Sequence, residues 1–362
     1  MSVSIDTAVA APKKAERNVA LEICRISAMV LIFFHHSITK GGVFAGVSAK
    51  PLVTLINFLS QGWLGVILFI LLTGYFTMDM KFSVKGALKV LAPVWVYSYL
   101  AIILFSICKF PSSPDLFQRS FMPVIMQTYW FPVSYIVFYI FGPMLGAGIR
   151  NVKMGWHLAI IAFLTICFYV LPYTHLQINE ITPNISQQNQ FMFWIYLFLI
   201  ASFIKKFPNK FFDNFWMCLG ALVVVFSYMY IFLWNNWPDT WHMFDRTSWQ
   251  MILLCVLILL TFKNMKVRKS LGRFVLPLAT TMWGFYLIHD NVLLRDKIWG
   301  DWNLMRIFHG RGDLQIILYS FAEMLMLFVI GTAIEYGRLR LFRLIGNVFQ
   351  KRFRGGKLEK AN

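Results

Sequence analysis

The chain reads as a succession of apolar stretches, each about 15–24 residues long, separated by short polar segments. A helix rises about 1.5 Å per residue, so roughly 20 apolar residues cross a hydrocarbon core about 30 Å thick. The pattern predicts ten spans, at about 20–39, 54–76, 87–108, 132–149, 155–171, 190–204, 212–233, 248–262, 277–294 and 314–337. Helices are required because lipid offers no partner for unpaired backbone groups, and the regular short alternating strands of a barrel are not seen. The expected fold is therefore all-α, a polytopic membrane bundle of about ten transmembrane helices. The even count places both termini on one side. Residues 1–18 read as a polar cytoplasmic segment, 19–342 as the membrane domain and 343–362 as a basic tail.

Composition strengthens this picture. Of 362 residues, 58% are hydrophobic and only 14% charged, where a soluble domain carries about 25% charged residues. Soluble α/β enzymes, nucleic-acid-binding domains and disordered scaffolds fit poorly. The formal charge of +18 arises from 34 Lys+Arg against 16 Asp+Glu and follows position. With ten spans, 24 basic residues fall on the side of the N-terminus and nine on the other. That bias predicts cytoplasmic termini in a cell membrane, of the bacterial inner or plasma-membrane kind. No nucleic-acid partner is expected, because the cations are spread over loops without a base-reading motif. The tail KRFRGGKLEK suits anionic lipid head groups. The first apolar run lacks a signal-peptide cleavage pattern, so it is expected to be retained. The five cysteines show no CxxC pair and read as packing residues; no metal site and no bound prosthetic group are expected. P-loop, GxGxxG and HExxH motifs are absent from the sequence.

Ionisable residues inside an apolar helix demand a reason, since burying them in lipid is expensive. The first span carries Glu22, Arg25, His35 and His36. Glu22 and Arg25 are one turn apart. Arg25 and His36 are eleven residues apart, within about 20° of three full turns and about 16 Å along the axis, so they share a face. This predicts a polar track from the cytoplasmic mouth toward mid-membrane, with His35 turned about 100° away. A salt bridge near the interface and a helix-to-helix tether would also account for these residues. So would a proton relay, because imidazole exchanges protons near neutral pH. Gly62, Gly65 and Gly74 mark close approach of backbones in the second span. Lys81, Lys85 and Lys89 recur every four residues and fit either lipid head groups or the phosphates of a cytosolic donor. His289, beside Asp290 in the ninth span, and Glu323 in the tenth could meet as a tether or as accessory site residues.

The blocks LEICRISAMVLIFFHH, GWLGVILFILLTGYF, ALKVLAPVWVY, YWFPVSYIVFYIFGPML and GFYLIH, in this order, resemble the acyltransferase 3 family of integral membrane acyltransferases. The resemblance implies transfer of an acyl group, often acetyl, from a cytosolic acyl-CoA to a carbohydrate or other acceptor at the membrane. It assigns the family's essential arginine and histidine to Arg25 and His36. Glu22 stands where an aspartate is frequent, and Lys85 or Lys89 stands where an arginine is frequent. The implied activity is O-acylation of an envelope polysaccharide or lipid-linked glycan, with Arg25, Lys81, Lys85 and Lys89 at the donor and His36 as base or covalent carrier. A proton-coupled transporter or glycan flippase, a glycosyl-polymerising enzyme and a non-catalytic scaffold are the rival readings. Trp130, Trp234, Trp237, Trp241 and Trp249 suit either sugar stacking or an interfacial belt. Arg246 suits an anionic acceptor or a solvated loop.

The topology is open to direct measurement. Single cysteines placed in a cysteine-free background are expected to label from the cytoplasm at both termini, and from the outer face near Asp115, Glu180, Asp239 and Arg306. Termini that label from opposite sides would refute the even number of spans.

Overall fold

A computed structural model of the chain describes residues 17–126, 128–170, 190–236, 248–303 and 312–358. Twelve α-helices are described: α1 (Val19–Thr39), α2 (Lys50–Leu59), α3 (Gly62–Thr77), α4 (Val84–Cys108), α5 (Pro114–Phe121), α6 (Trp130–Ile149), α7 (Met154–Thr165), α8 (Gln190–Lys206), α9 (Phe215–Asn236), α10 (Trp249–Asn264), α11 (Gly272–His289) and α12 (Asp313–Leu358). Short polar residues set the helix starts. The Asn18 carboxamide oxygen accepts from the backbone N–H of Ala20 at 2.9 Å and of Leu21 at 3.2 Å, relieving two of the unpaired amides of the first turn. Ser83, Ser113 and Ser248 cap α4, α5 and α10 in the same way.

Helix α1 sits between α3 and α11; α3 also meets α8 and α10, while α12 packs on α11. Helix α3 is apolar on every side and buried from Leu64 to Gly74, as expected of a helix with neighbours all round. Its close fit to α1 depends on absent side chains. A Cβ at Gly65 would lie 2.5 Å from the Ala28 carbonyl oxygen, and one at Gly62 would lie 2.6 Å from the His35 ring. On α12, Leu318, Phe321, Leu325 and Val329 share one helical face and are exposed, an apolar surface that only lipid or a partner would tolerate.

Among the described residues, seven segments are long and apolar enough to cross a membrane: Val19–Thr39, Lys50–Thr77, Val84–Cys108, Trp130–Ile149, Phe215–Asn236, Lys269–His289 and Asp313–Val348. The expectation of ten spans is met only in part. Every predicted span contains a helix, but Met154–Tyr169 and Trp249–Asn264 are shorter apolar helices, and α8 has 17 residues. A 16-residue helix covers about 24 Å, less than the roughly 30 Å core. The ninth helix ends at His289 rather than near 294, and α12 runs through residue 342 to Leu358 without a break. Lys81 precedes α4, so only Lys85 and Lys89 share the helical stripe expected of three lysines. Of the outer-face positions, Asp115 lies in the first turn of α5; Glu180, Asp239 and Arg306 lie outside the described residues.

The α1–α3 contact yields a paired test. Gly65→Ala is expected to destabilise the protein by about 1–3 kcal/mol through overpacking, lowering its thermal unfolding midpoint in detergent. Gly148→Ala, where an added Cβ meets nothing within 4 Å, is expected to leave the midpoint unchanged. Equal behaviour of the two variants would contradict the close backbone approach.

Candidate functional site

Helix α1 carries two polar clusters, one toward each end. His36 lies in its last turn, about 25 Å from its first residue at 1.5 Å per residue, and therefore beyond the mid-membrane position expected for it. There it meets the end of α11. His289 Nδ1–H donates to the Phe285 carbonyl at 2.8 Å, and His36 Nδ1 lies 3.1 Å from His289 Nε2. With both rings neutral, one arrangement satisfies this geometry. His289 holds its proton on Nδ1, so its Nε2 accepts from His36 Nδ1–H, and the lone pair of His36 is on Nε2. His36 is 9% exposed, which leaves an edge accessible, while His289 is buried among the rings of Phe33, Phe285 and Tyr286.

Asp290 completes this end. One oxygen lies 3.9 Å from His36 Nδ1 and is paired with the Lys40 ammonium; the other accepts from the Tyr286 hydroxyl at 2.9 Å. His35, as the helical phase predicts, points elsewhere: its Nδ1–H donates to the Ser60 carbonyl at 2.5 Å. Its ring lies over Gly62, which explains that glycine in the GWLG block. The expected pairing of His289 with Glu323 is replaced, because the ring's hydrogen bonds among the described residues go to His36 and Phe285. Glu323 is buried on α12, next to Met324, whose sulfur accepts from the Ser37 hydroxyl at 3.6 Å.

The other cluster surrounds a cavity of about 380 Å³. Arg25, Arg17, Lys89 and Arg338 reach its wall, while Phe69, Tyr135 and Trp283 help close it. Glu22 is buried beneath: one oxygen accepts from Arg17 at 2.8–2.9 Å and the other from Arg25. The Arg25 guanidinium also lies 5.4 Å from the centre of the Phe76 ring. Lys81 and Lys85 are exposed and do not line the cavity.

Between the two ends stands a layer of rings. Tyr135 and Trp283 are 5.1 Å apart, Trp283 and Tyr286 stack at 6.2 Å, Phe131 lies 5.3 Å from Tyr286, and Tyr286 lies 6.5 Å from His36. The arrangement is thus an anion-attracting chamber and an oriented imidazole on one helix, separated by aromatic side chains. Arg25, His36, Glu22 and Lys89 were visible in the sequence. Arg17, Lys40 and Arg338 carry no such mark, because an exposed-looking loop or tail cation gives no signal until folding brings it to a cavity wall or to a buried carboxylate. Trp237, Trp241 and Arg246 lie outside the described residues, whereas Trp130 and Trp249 are exposed and Trp234 stacks under the Lys50 ammonium at 4.9 Å.

Neither the curated proteins nor the solved structures contain a match to the chain. A family model described as an acyltransferase domain does match, over residues 18–336. The matched span includes Glu22, Arg25, His36, Lys89, His289 and Asp290 and covers most of the helical bundle. The chain belongs to the acyltransferase 3 family.

Proposed function

We propose that this protein is a multi-pass cell-membrane O-acyltransferase with ten passes and cytoplasmic termini. It moves an acyl group, acetyl from acetyl-CoA in the simplest case, to a hydroxyl of an envelope polysaccharide or lipid-linked glycan. The observation that carries this reading is the division of α1 between a cation-lined cavity at one end and an imidazole with a free Nε2 at the other.

The donor's phosphates occupy the cavity, where Arg25 and Lys89 attract them. Glu22 holds Arg25 in place, and a guanidinium so fixed offers its remaining N–H groups in a planar fork. The acyl thioester extends past the Tyr135–Trp283–Tyr286 layer toward His36. There His36 Nε2 takes the proton of the acceptor hydroxyl as its oxygen bonds to the thioester carbonyl carbon. The tetrahedral adduct collapses, the carbon–sulfur bond breaks, and the coenzyme thiolate leaves with the proton from the imidazolium. Asp290, close to His36 Nδ1, favours the transient imidazolium, as a carboxylate does behind a catalytic histidine. The split between donor and base suits a reaction in which a cytosolic donor serves an acceptor from the opposite face of the membrane.

In acetyl-CoA-dependent transfer to isolated native glycans, His36→Ala is expected to lose about a hundredfold or more in rate. His35→Ala, which removes only a contact to a backbone carbonyl, is expected to lose far less. Mass spectrometry of the glycan reads the transfer and identifies the acyl group. Wild-type rates in folded His36→Ala protein would remove the histidine from the chemistry. Movement of intact glycan across the membrane with no gain of acyl mass would instead favour the transporter.

A second measurement addresses the donor. Arg25→Ala is expected to weaken acyl-CoA binding by about tenfold or more, in line with loss of a charged hydrogen bond. Arg25→Lys restores binding in part, because the ammonium keeps the charge but lacks the fork. Unchanged affinity in folded Arg25→Ala protein would reject the phosphate contact.

A further inference from the structure

One wall of the cation-lined cavity belongs to α12, and it repeats the arrangement on α1. On α1, Glu22 and Arg25 are three residues apart; on α12, Glu335 and Arg338 are three residues apart. In both pairs the carboxylate is buried, at 2% exposure for Glu22 and 1% for Glu335. In both the guanidinium reaches the same cavity. Each carboxylate also has a second donor. For Glu22 it is Arg17; for Glu335 it is the Tyr97 hydroxyl, at 2.5 Å.

The geometry of the second pair is tightly specified. Arg338 donates from Nε at 2.6 Å and from Nη2 at 2.7 Å to the two oxygens of Glu335. A guanidinium has five N–H donors, so three remain after this bidentate contact. Glu335 itself is seated in a notch on α11, where a Cβ at Gly284 would lie 2.1 Å from its carboxyl carbon. The glycine of the GFYLIH block therefore makes room for a carboxylate from another helix. A buried ion pair is poor evidence for stability, since well-packed apolar residues of similar volume commonly do as well or better. Two such pairs facing one chamber have a clearer use in binding. Four cationic side chains, Arg17, Arg25, Lys89 and Arg338, meet two carboxylates, Glu22 and Glu335, so the wall has a positive excess for more than one anionic group.

We infer that α12 supplies the second half of the donor site: Arg338, oriented by Glu335 and Tyr97, contacts a phosphate group of the acyl-CoA in the cavity that Arg25 also lines. The inference rests on the reading of the cavity as the donor chamber. A single polyanion then bridges the first and last helices of the bundle. Arg338 lies two residues beyond the segment matched by the family model, which ends at 336, so the family assignment does not reach it. Glu335 and Tyr97 are positioning residues, and Gly284 is the space that admits them.

The test uses full-length protein in lipid nanodiscs and measures binding of coenzyme A itself, with thermal unfolding as the control for the fold. Arg338→Ala alone would strand the buried Glu335 charge, so the chosen variant is Glu335→Gln with Arg338→Gln. It removes both charges and leaves an amide to accept from Tyr97. Its affinity for coenzyme A is expected to fall by about tenfold to a hundredfold, the range for losing a hydrogen bond to a charged group. Its unfolding midpoint without ligand is expected to stay near wild type. Arg338→Lys, which keeps the ion pair but not the fork, is expected to lose about tenfold. Pantetheine, which carries no phosphate, is expected not to distinguish wild type from either variant.

Wild-type coenzyme A affinity in the folded double variant, with affinity lost in Arg25→Ala, would overturn the role of α12 and leave the donor chamber standing. If the double variant does not fold, unchanged affinity in Arg338→Lys would overturn the inference instead. A wild-type protein that binds no coenzyme A would overturn the donor reading itself, and this inference with it.

Discussion

A carboxylate inside a membrane protein must be paired, because neither lipid nor packed side chains replace the water it gives up. Glu22, Asp290 and Glu335, three of the four buried acids among the described residues, illustrate that constraint around α1. Glu22 gathers Arg17 and Arg25 at one end. Asp290 brings the end of α11 onto Lys40, just past the C-terminus of α1. Glu335 joins α12 to Tyr97 of α4 and to its own Arg338. Loss of Lys40 or Arg338 would leave Asp290 or Glu335 without its cation, whereas Glu22 would keep one of its two arginines.

The same pairs also separate two kinds of chemistry. At the Arg25 end, four cationic side chains line one chamber, three of them paired with carboxylates. At the His36 end, a chain from the Phe285 carbonyl through His289 to His36 orients one lone pair, with the Asp290 carboxylate beside it. The Tyr135, Trp283 and Tyr286 rings sit between the chamber and the histidine. Glycines allow this compactness at two points: Gly65 lets α3 lie against the α1 backbone, and Gly284 admits Glu335 against α11. Neither glycine touches a reacting group, yet each determines where a polar group stands.

Much of this was legible along the chain. Apolar periodicity located helices in all ten predicted regions, and the spacing of eleven between Arg25 and His36 put them on one face of one helix. The angular step separated His35 from His36, and the two are found with different partners. Local pattern misleads where a property depends on neighbours. Lys81, Lys85 and Lys89 look periodic in sequence, but α4 begins after Lys81 and only Lys89 reaches the cavity. His289 and Glu323 lie on consecutive antiparallel helices, yet the imidazole hydrogen-bonds to His36 of α1. Helix α10, capped at Ser248 and ending at Asn264, falls short of a full span, because hydropathy marks where apolar residues are and not where hydrogen bonding stops.

The sequence by itself determined the all-helical membrane class, the family, and the ionisable residues of α1, since each follows from local composition and helical phase. The tertiary structure decided which groups meet. It joined His36 to His289 and Asp290 across some 250 residues, and it brought Arg338 and Arg25 into the lining of one cavity. Contacts of that kind depend on which helices pack together and how closely, and helix packing in lipid is governed by shape and by small residues rather than by any pattern within one helix.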